Sequence, residues 1–382
     1  GKFISAHPSI ERYSIRYEGE EITDEDHLIS ISYLKKMVGL KSVLLSYNWC
    51  TISSRNKFPL LFRQAALTLE SLCFQALNTQ MSEKNLSSII DHLVGRIIPK
   101  HFAMKILNCS SFLQEHACKL IQFLSKFKDL HWLKLQLEPN CMLERAQIQA
   151  FFGAFGQHQS LTYLSLEVIP KMGNIKDDDV QVFAAQLKKL SLLKVLKLKH
   201  GMYYDITDKS CEALFKAISG LHFIYSLTIT FEKQSLITDN SIPTINESLL
   251  KLTLLRKLCL SFTKCGLTDD GCISLAHCIR ELQNLECLSL ALFQAKMTDK
   301  ALSALKLSHM KKLTELSLFL ALSITKQGYQ NLGEGIKQLK SLQILKLKLE
   351  GLGSAGLTIE EVTGFKNGLK SLPRLRELYW EL

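Results

Sequence analysis

One segment of the chain, residues 206–231, joins a helix start, a helical stripe and a strand in a single unit. Thr207 suits a helix N-cap, and Asp208 follows it where the helix dipole favours an anion. The apolar residues then change from helical spacing to the alternate spacing of a strand: Cys211, Leu214, Ile218 and Leu221, followed by Leu227, Ile229 and Phe231. The segment is therefore predicted to be a capped helix, a turn and a strand.

The same unit recurs along the chain. Residues 267–292 match it at every step, and further copies open at Ile237 and Ile324. Looser copies open at Ile22, Met81, Ile175 and Met297. Aligned on the first residue of an LxxLxL signature, the strands are spaced by 28 to 33 residues and start at Ile10, Leu40, Leu69, His101, Leu130, Leu161, Leu193, Ile224, Leu255, Leu285, Leu313, Leu342 and Leu375.

The fourth strand start, His101, is the weakest member of this series. The repeat nevertheless predicts a single solenoid domain over residues 1–382, about twelve repeats long, because a solenoid grows by adding units around one continuous core. The chain begins and ends in a predicted strand. We therefore expect either that flanking caps are missing or that partners cover the ends.

Three strand signatures are explicit in residues 193–198 (LKVLKL), 285–290 (LECLSL) and 342–347 (LQILKL). These segments resemble the leucine-rich repeat family, in particular its long-repeat, ribonuclease-inhibitor-like class. The resemblance implies an α/β solenoid of horseshoe shape, with parallel strands on the concave face and helices on the convex face.

The sequence departs from that family at one position. The family places Asn or Cys three residues after the third leucine, whereas this chain has Gly201, Glu232, Thr263, Phe293 and Ala321 there. The apolar alternation instead continues for one more step, at Phe231, Phe262, Leu292, Leu320 and Leu349. We therefore expect strands about two residues longer, and a core closed by apolar contacts instead of an asparagine ladder.

Composition limits the class of protein and its cellular location. The hydrophobic fraction of 47% excludes a disordered chain, and no apolar run is long enough to span a bilayer, so no membrane insertion is expected. No secretory signal is visible, and several of the eleven cysteines occupy positions that other repeats fill with Leu or Ile. We expect a cytoplasmic protein. Its net charge of +11 favours acidic partners, although we prefer a solvated, solubilising surface as the explanation of the lysines.

No motif for catalysis or metal binding withstands comparison with a structural explanation. Residues 351–356 match GxGxxG after a strand, with Glu381 on the next strand, but they also fit the repeat. Residues 177–179 are three aspartates at a helix start, where acids satisfy the dipole. Cys265, Cys272 and Cys278 lack the spacing of a zinc site. We therefore predict no enzyme, no cofactor and no metal.

The outward side chains of the strands are the remaining candidates. Trp132 and Tyr163 share one column on adjacent strands, and they could form an interface or simply pack on each other. Small residues such as Ser226 and Thr228 occupy the middle of the array, where they suit either a binding floor or an exposed strand. The predicted partner-binding residues are Trp132, Lys134, Tyr163, Lys197, Lys199, Lys346 and Lys348.

From these observations we expect a non-enzymatic protein-interaction scaffold within a larger intracellular assembly, with protein partners bound on the concave face or at the array ends. Cytoskeletal or ciliary assemblies are an analogy with similar arrays. The alternative is a regulatory domain that acts on an enzyme as an inhibitor or a GTPase activator, and nucleic-acid binding ranks below both.

Overall fold

A computed structural model of the chain describes residues 10–19, 21–34, 37, 39–53, 69–96, 99–109, 114–126, 129–138, 144–168, 175–200, 206–232, 236–322, 326–350, 365–366, 368–370 and 372–381. The chain divides into two compact units, residues 1–175 and residues 176–382.

In the first unit, parallel strands that follow one another in the chain are also neighbours in the sheet. The strands of this sheet are β1 (Arg12–Glu18), β3 (Ser42–Asn48), β5 (Ser71–Leu77), β7 (His101–Leu107), β8 (Trp132–Leu137) and β9 (Tyr163–Val168). Three two-residue strands form a second small sheet: β2 (Glu21–Ile22), β4 (Thr51–Ile52) and β6 (Gln80–Met81). The helices are α1 (Asp24–Leu34), α2 (Glu83–Arg96), α3 (Gln114–Lys126) and α4 (Arg145–Gly153).

The second unit continues the same strand–helix alternation, again with parallel neighbours in chain order. Its strands are β10 (Val195–His200), β11 (Ser226–Glu232), β12 (Lys257–Thr263), β13 (Cys287–Met297), β14 (Glu315–Leu322), β15 (Ile344–Glu350) and β16 (Glu377–Glu381). Its helices are α5 (Asp177–Leu187), α6 (Asp208–Ile218), α7 (Ile242–Leu250), α8 (Asp269–Glu281), α9 (Asp299–Ala304) and α10 (Lys326–Lys337).

Alternation along each strand separates a buried face from an accessible one. In β12, Leu258, Leu260 and Phe262 are buried, and Phe262 packs on Phe231 of β11 with ring centroids 5.6 Å apart. Leu292, at the same place in β13, is also buried. The prediction of strands extended by an apolar residue is therefore confirmed. The architecture is that of an α/β leucine-rich-repeat solenoid, as the sequence indicated.

The structure corrects the alignment of the fourth repeat. Phe102 pairs with Leu72, which is the second leucine of the preceding signature, so the first position is held by the buried Pro99 and not by His101. His101 is the exposed first residue of β7. The sequence alignment failed here because proline replaces the leucine that marks the start of the other signatures.

The expectation of a core closed only by apolar contacts is also wrong in part. A polar ladder exists, but the extra strand residues displace it by two positions. In the first unit the Thr79 hydroxyl donates to the Tyr47 carbonyl oxygen of the preceding repeat at 2.9 Å, and the Cys109 thiol donates to the Ala76 carbonyl oxygen at 3.4 Å. Cys265 occupies the same place in the second unit. These side chains satisfy the backbone carbonyls where each strand ends.

A second ladder joins the helix starts of the second unit. The carboxylate of Asp208 accepts hydrogen bonds from the backbone nitrogen of Thr238, at 2.7 Å, and from its hydroxyl, at 2.6 Å. Asp269 bridges to Thr298 in the same way, at 2.7 Å for both atoms. The contact repeats in Asp177 with Thr207 and in Asp239 with Thr268. In each of these four contacts, an acid at one helix start thus ties down the threonine at the next. Before α7, that threonine and acid are Thr238 and Asp239 of a 3-10 turn, Asp239–Ser241, which precedes the helix.

Candidate functional site

The accessible face of the first unit presents an aromatic pair. Trp132 of β8 and Tyr163 of β9 are directly opposite in the parallel register. Their rings stack with centroids 4.6 Å apart and planes inclined by 16°. Both residues are half-buried. They lie in one column because in-register strands about 4.8 Å apart place equivalent residues side by side.

The stack confirms one of the two interpretations of Trp132 and Tyr163, namely that they pack on each other. Such aromatic pairs stabilise a protein by about 0.5–1.5 kcal/mol beyond the effect of the surface area that they bury. Each residue nevertheless keeps part of its surface accessible on the outward face. Packing and recognition are therefore compatible, and a role of Trp132 and Tyr163 in binding stays a prediction.

Cations share this face with the aromatic pair. Lys134 is two residues beyond Trp132 and lies between Ala103 of β7 and Ser165 of β9. Its charge also reaches the Cys73 thiol, where burial raises the thiol pKa and Lys134 acts in the opposite direction.

Sequence reasoning missed further cations on the outward positions of the first unit. Arg12 and Arg16 of β1 are exposed, and Lys105 of β7 is half-buried beside Gln136 of β8. Glu167 is an acid at an outward position of β9. The signal that could have found these cations is the alternation of inward and outward residues in β1 and β7.

The second unit carries the other predicted residues. Lys197 is half-buried and Lys199 is exposed on β10, opposite Thr228 and Thr230 of β11. Trp132, Lys134 and Tyr163 belong to the first unit. The small residues predicted to form a floor lie in outward columns, as expected: Thr228, Cys259, Ser289 and Ser317 in one, and Thr230, Ser261 and Ala291 in the next. The second column continues to Phe319, a half-buried aromatic that sequence reasoning missed.

The last two predicted lysines differ in their surroundings. Lys346 of β15 is exposed beside Tyr379 of β16. Lys348 forms an ion pair with Glu381 at 2.9 Å. The hydroxyl of Tyr379 also donates to Glu381, at 2.5 Å, and hydrogen bonds from Tyr379 and Lys348 lower the pKa of that carboxyl. Glu381 is therefore engaged in a local network on β16.

The other motifs acquire structural explanations or fall outside the described residues. Asp177 binds Thr207 and Ser210, and Asp179 accepts a hydrogen bond from the Lys176 backbone nitrogen at 3.0 Å. Burial raises the thiol pKa of Cys272 to about 12. The GxGxxG motif at residues 351–356 lies outside the described residues. In the described ranges, no cluster of His, Cys, Asp and Glu is placed to hold a metal ion.

Among the solved structures that are similar to this chain is a complex from yeast. It is yeast Rad7 in complex with Elc1, with a TM-score of 0.54 and 18% sequence identity, and the match covers 94% of this chain and 84% of the other. At this identity the likeness shows the fold alone, and it agrees with the repeat architecture. No family model matches the chain. No curated protein matches its sequence. Among the helices that the structure describes, none is long and apolar enough to cross a membrane.

Proposed function

We propose that the protein is a non-enzymatic interaction scaffold that holds a protein partner within a multi-protein assembly. The observation that carries the proposal is the half-accessible Trp132–Tyr163 stack beside Lys134. Aromatic side chains with a polar edge supply affinity at interface centres, and nearby cations supply orientation and association rate. Rad7, whose fold is similar, is described in complex with another protein, which supports the class of function.

The finer details belong to the proposal as well. The seven-residue strands and the repeat length of about 30 residues support placement in the long-repeat, ribonuclease-inhibitor-like class. We propose one domain over residues 1–382, a cytoplasmic location, and a partner with an acidic surface. Lys197, Lys199, Lys346 and Lys348 would bind that partner in the second unit. A cytoskeletal or ciliary assembly stays a prediction without support.

The test begins with crosslinking and purification of partners from the native cell at physiological salt, followed by affinity measurement with the purified partner. Trp132→Ala should weaken binding by at least about 2 kcal/mol, or about 30-fold in Kd. Trp49→Ala is the matched control, since Trp49 is an exposed tryptophan of the same unit that follows strand β3 and lies outside the outward columns. Equal binding by wild type and Trp132→Ala would reject the site.

The basic residues have a separate signature. Replacing Lys197 and Lys199 together by Glu should mainly slow association and reduce its salt dependence. Binding of a polynucleotide tests the nucleic-acid alternative. The logarithm of such an affinity falls steeply and linearly with the logarithm of the salt concentration. Tight polynucleotide binding with that slope would favour the nucleic-acid alternative over the scaffold.

A further inference from the structure

Three exposed apolar side chains occupy the same place in consecutive repeats of the second unit. Leu192, Phe223 and Leu254 each precede the buried first residue of a strand signature. Their exposed fractions are 47%, 50% and 50%, so about half of each side chain faces solvent. We call these three residues the rim row.

The backbone places the rim row in register. Two residues beyond each member, the turns are hydrogen-bonded to one another: the Tyr225 nitrogen donates to the Lys194 carbonyl at 3.0 Å, and the Arg256 nitrogen donates to the Tyr225 carbonyl at 2.9 Å. Neighbouring turns are therefore separated by about the strand spacing of 4.8 Å. The three residues therefore lie side by side in three adjacent repeats of the unit.

Among the described residues, the apolar character of this line is confined to these three repeats. In the other repeats whose residue at this place is described, the residues are glycine or polar: Gly39, Asp129, Ser160, Asn284, Lys312, Ser341 and Arg374. The repeat architecture thus does not need an apolar residue there. Single exposed apolar residues are ordinary, but an aligned set at one edge is typical of an interaction surface.

Positive charge surrounds the rim row. The turn segments 188–194, 219–226 and 250–257 contain six lysine or arginine residues and no aspartate or glutamate. Those six residues are exposed, and Arg256 is paired with Glu286 of the next turn at 3.1 Å. A partner that covers the row would therefore meet an apolar line with cations on its flanks, which acidic side chains complement.

We propose that the rim row binds an acidic amphipathic helix of a partner protein. On a helix, residues three and four apart are about 5–6 Å from each other, close to the row spacing of about 4.8 Å. Alternate side chains of an extended strand are about 6.6 Å apart and match less well. Apolar residues at i, i+4 and i+7 would contact the row while acids beside them face the lysines. The surface is separate from the Trp132 stack, so the two proposals stand on different observations.

An anionic membrane is the competing occupant. A bilayer presents a wide flat surface, whereas the exposed apolar side chains here, which also include Tyr225 and Leu250 of the same turns, span only three repeats. The polar Asn284 and Lys312 follow in the next repeats. Asn284 even contacts the adjacent turn, donating a hydrogen bond to the Thr253 carbonyl at 3.4 Å. This limited extent therefore favours a helix over a membrane.

The probe is a synthetic peptide of about 18 residues, five helical turns, with Leu at i, i+4 and i+7 and Glu on both flanks. A scrambled peptide of the same composition is its control. Fluorescence anisotropy with the full chain should show binding of the amphipathic peptide and weaker binding of the scrambled one. Phe223→Ser should lower the affinity about tenfold or more.

Two variants sharpen the result. Leu236→Ser is the matched control, because Leu236 is 54% exposed in the same unit but lies outside the row. This variant should bind the amphipathic peptide with the affinity of wild type. Asn284→Leu should strengthen binding because it extends the row to a fourth repeat. Since about half of the Phe223 and Leu236 side chains is exposed, Phe223→Ser and Leu236→Ser should keep the urea midpoint of wild type.

Four outcomes would overturn the proposal. The first is binding of the two peptides with equal affinity, or of neither. The second is equal weakening by Phe223→Ser and Leu236→Ser. The third is binding to vesicles of phosphatidylcholine and phosphatidylserine that Phe223→Ser abolishes, which would assign the row to a membrane. The fourth is a wild-type dimer in sedimentation that Phe223→Ser dissociates, which would assign it to a second copy of the chain.

Discussion

The ladder of acids along the helix starts leads to a sharp stability prediction. Asp269 and Asp270 are adjacent in the first turn of helix α8, so both interact favourably with the positive end of the helix dipole. Asp269 alone accepts the two hydrogen bonds from Thr298 of the next repeat. Replacing each by Ala therefore separates the inter-repeat bridge from the dipole effect that the two acids share.

The magnitudes differ enough to measure. Hydrogen bonds to a charged group contribute about 1.5–3 kcal/mol each, and partial exposure of Asp269 reduces that contribution. With two such bonds, we expect Asp269→Ala to lower the free energy of unfolding by about 2–3 kcal/mol. Asp270→Ala should lower it by about 0.3–1 kcal/mol, the usual dipole contribution near a helix start. Asp269→Asn should fall between them, because one acceptor remains.

Urea titration followed by circular dichroism measures the differences, with the m-value checked for constancy across the variants. Amide hydrogen exchange adds a position-specific test, since Asp269→Ala should deprotect the start of helix α9 more than distant repeats. If Asp269→Ala and Asp270→Ala destabilise the protein equally, the ladder contributes nothing and the reasoning fails.

Three further predictions follow from buried residues. Leu288 is buried between Leu258 and Leu316 in adjacent strands, so Leu288→Ala should lower the free energy of unfolding, measured by urea titration, by about 2–5 kcal/mol. The repeats around Leu288 should lose amide protection first, and a uniform loss of protection over all repeats would count against nearest-neighbour coupling. Desolvation lowers the pKa of His27 from 6.5 to about 4, so the unfolded chain binds an additional proton between these pH values. The free energy of unfolding should therefore fall as the pH drops through that window, by at most about 1.4 kcal/mol per pH unit. His27→Gln should flatten this slope, and an unchanged slope would contradict the prediction. Burial raises the pKa of Cys272 to about 12, so mass spectrometry should find it unmodified by iodoacetamide in the native protein and modified in urea, and rapid native modification would disprove the burial.

The sequence by itself determined the repeat, the order of the strands and the face on which each strand residue lies. These properties are local, because the period of the apolar residues and the caps at Thr207 and Thr238 act within one unit. The aligned signatures that start at Leu255, Leu285 and Leu313 accordingly put Leu288 in register with Leu258 and Leu316, which are its neighbours in the structure. The column shared by Trp132 and Tyr163 was found in the same way.

Only the tertiary structure decided how neighbouring repeats contact each other. The fourth repeat begins at Pro99, which no leucine pattern marks. The polar ladder appeared at Cys109 and Thr79, two positions beyond the family's asparagine. Asp269 interacts with the dipole of its own helix, and it also accepts a hydrogen bond from Thr298 of the next repeat. These contacts join residues about 30 positions apart, and their geometry depends on stacking distances and side-chain rotamers that a single repeat does not encode.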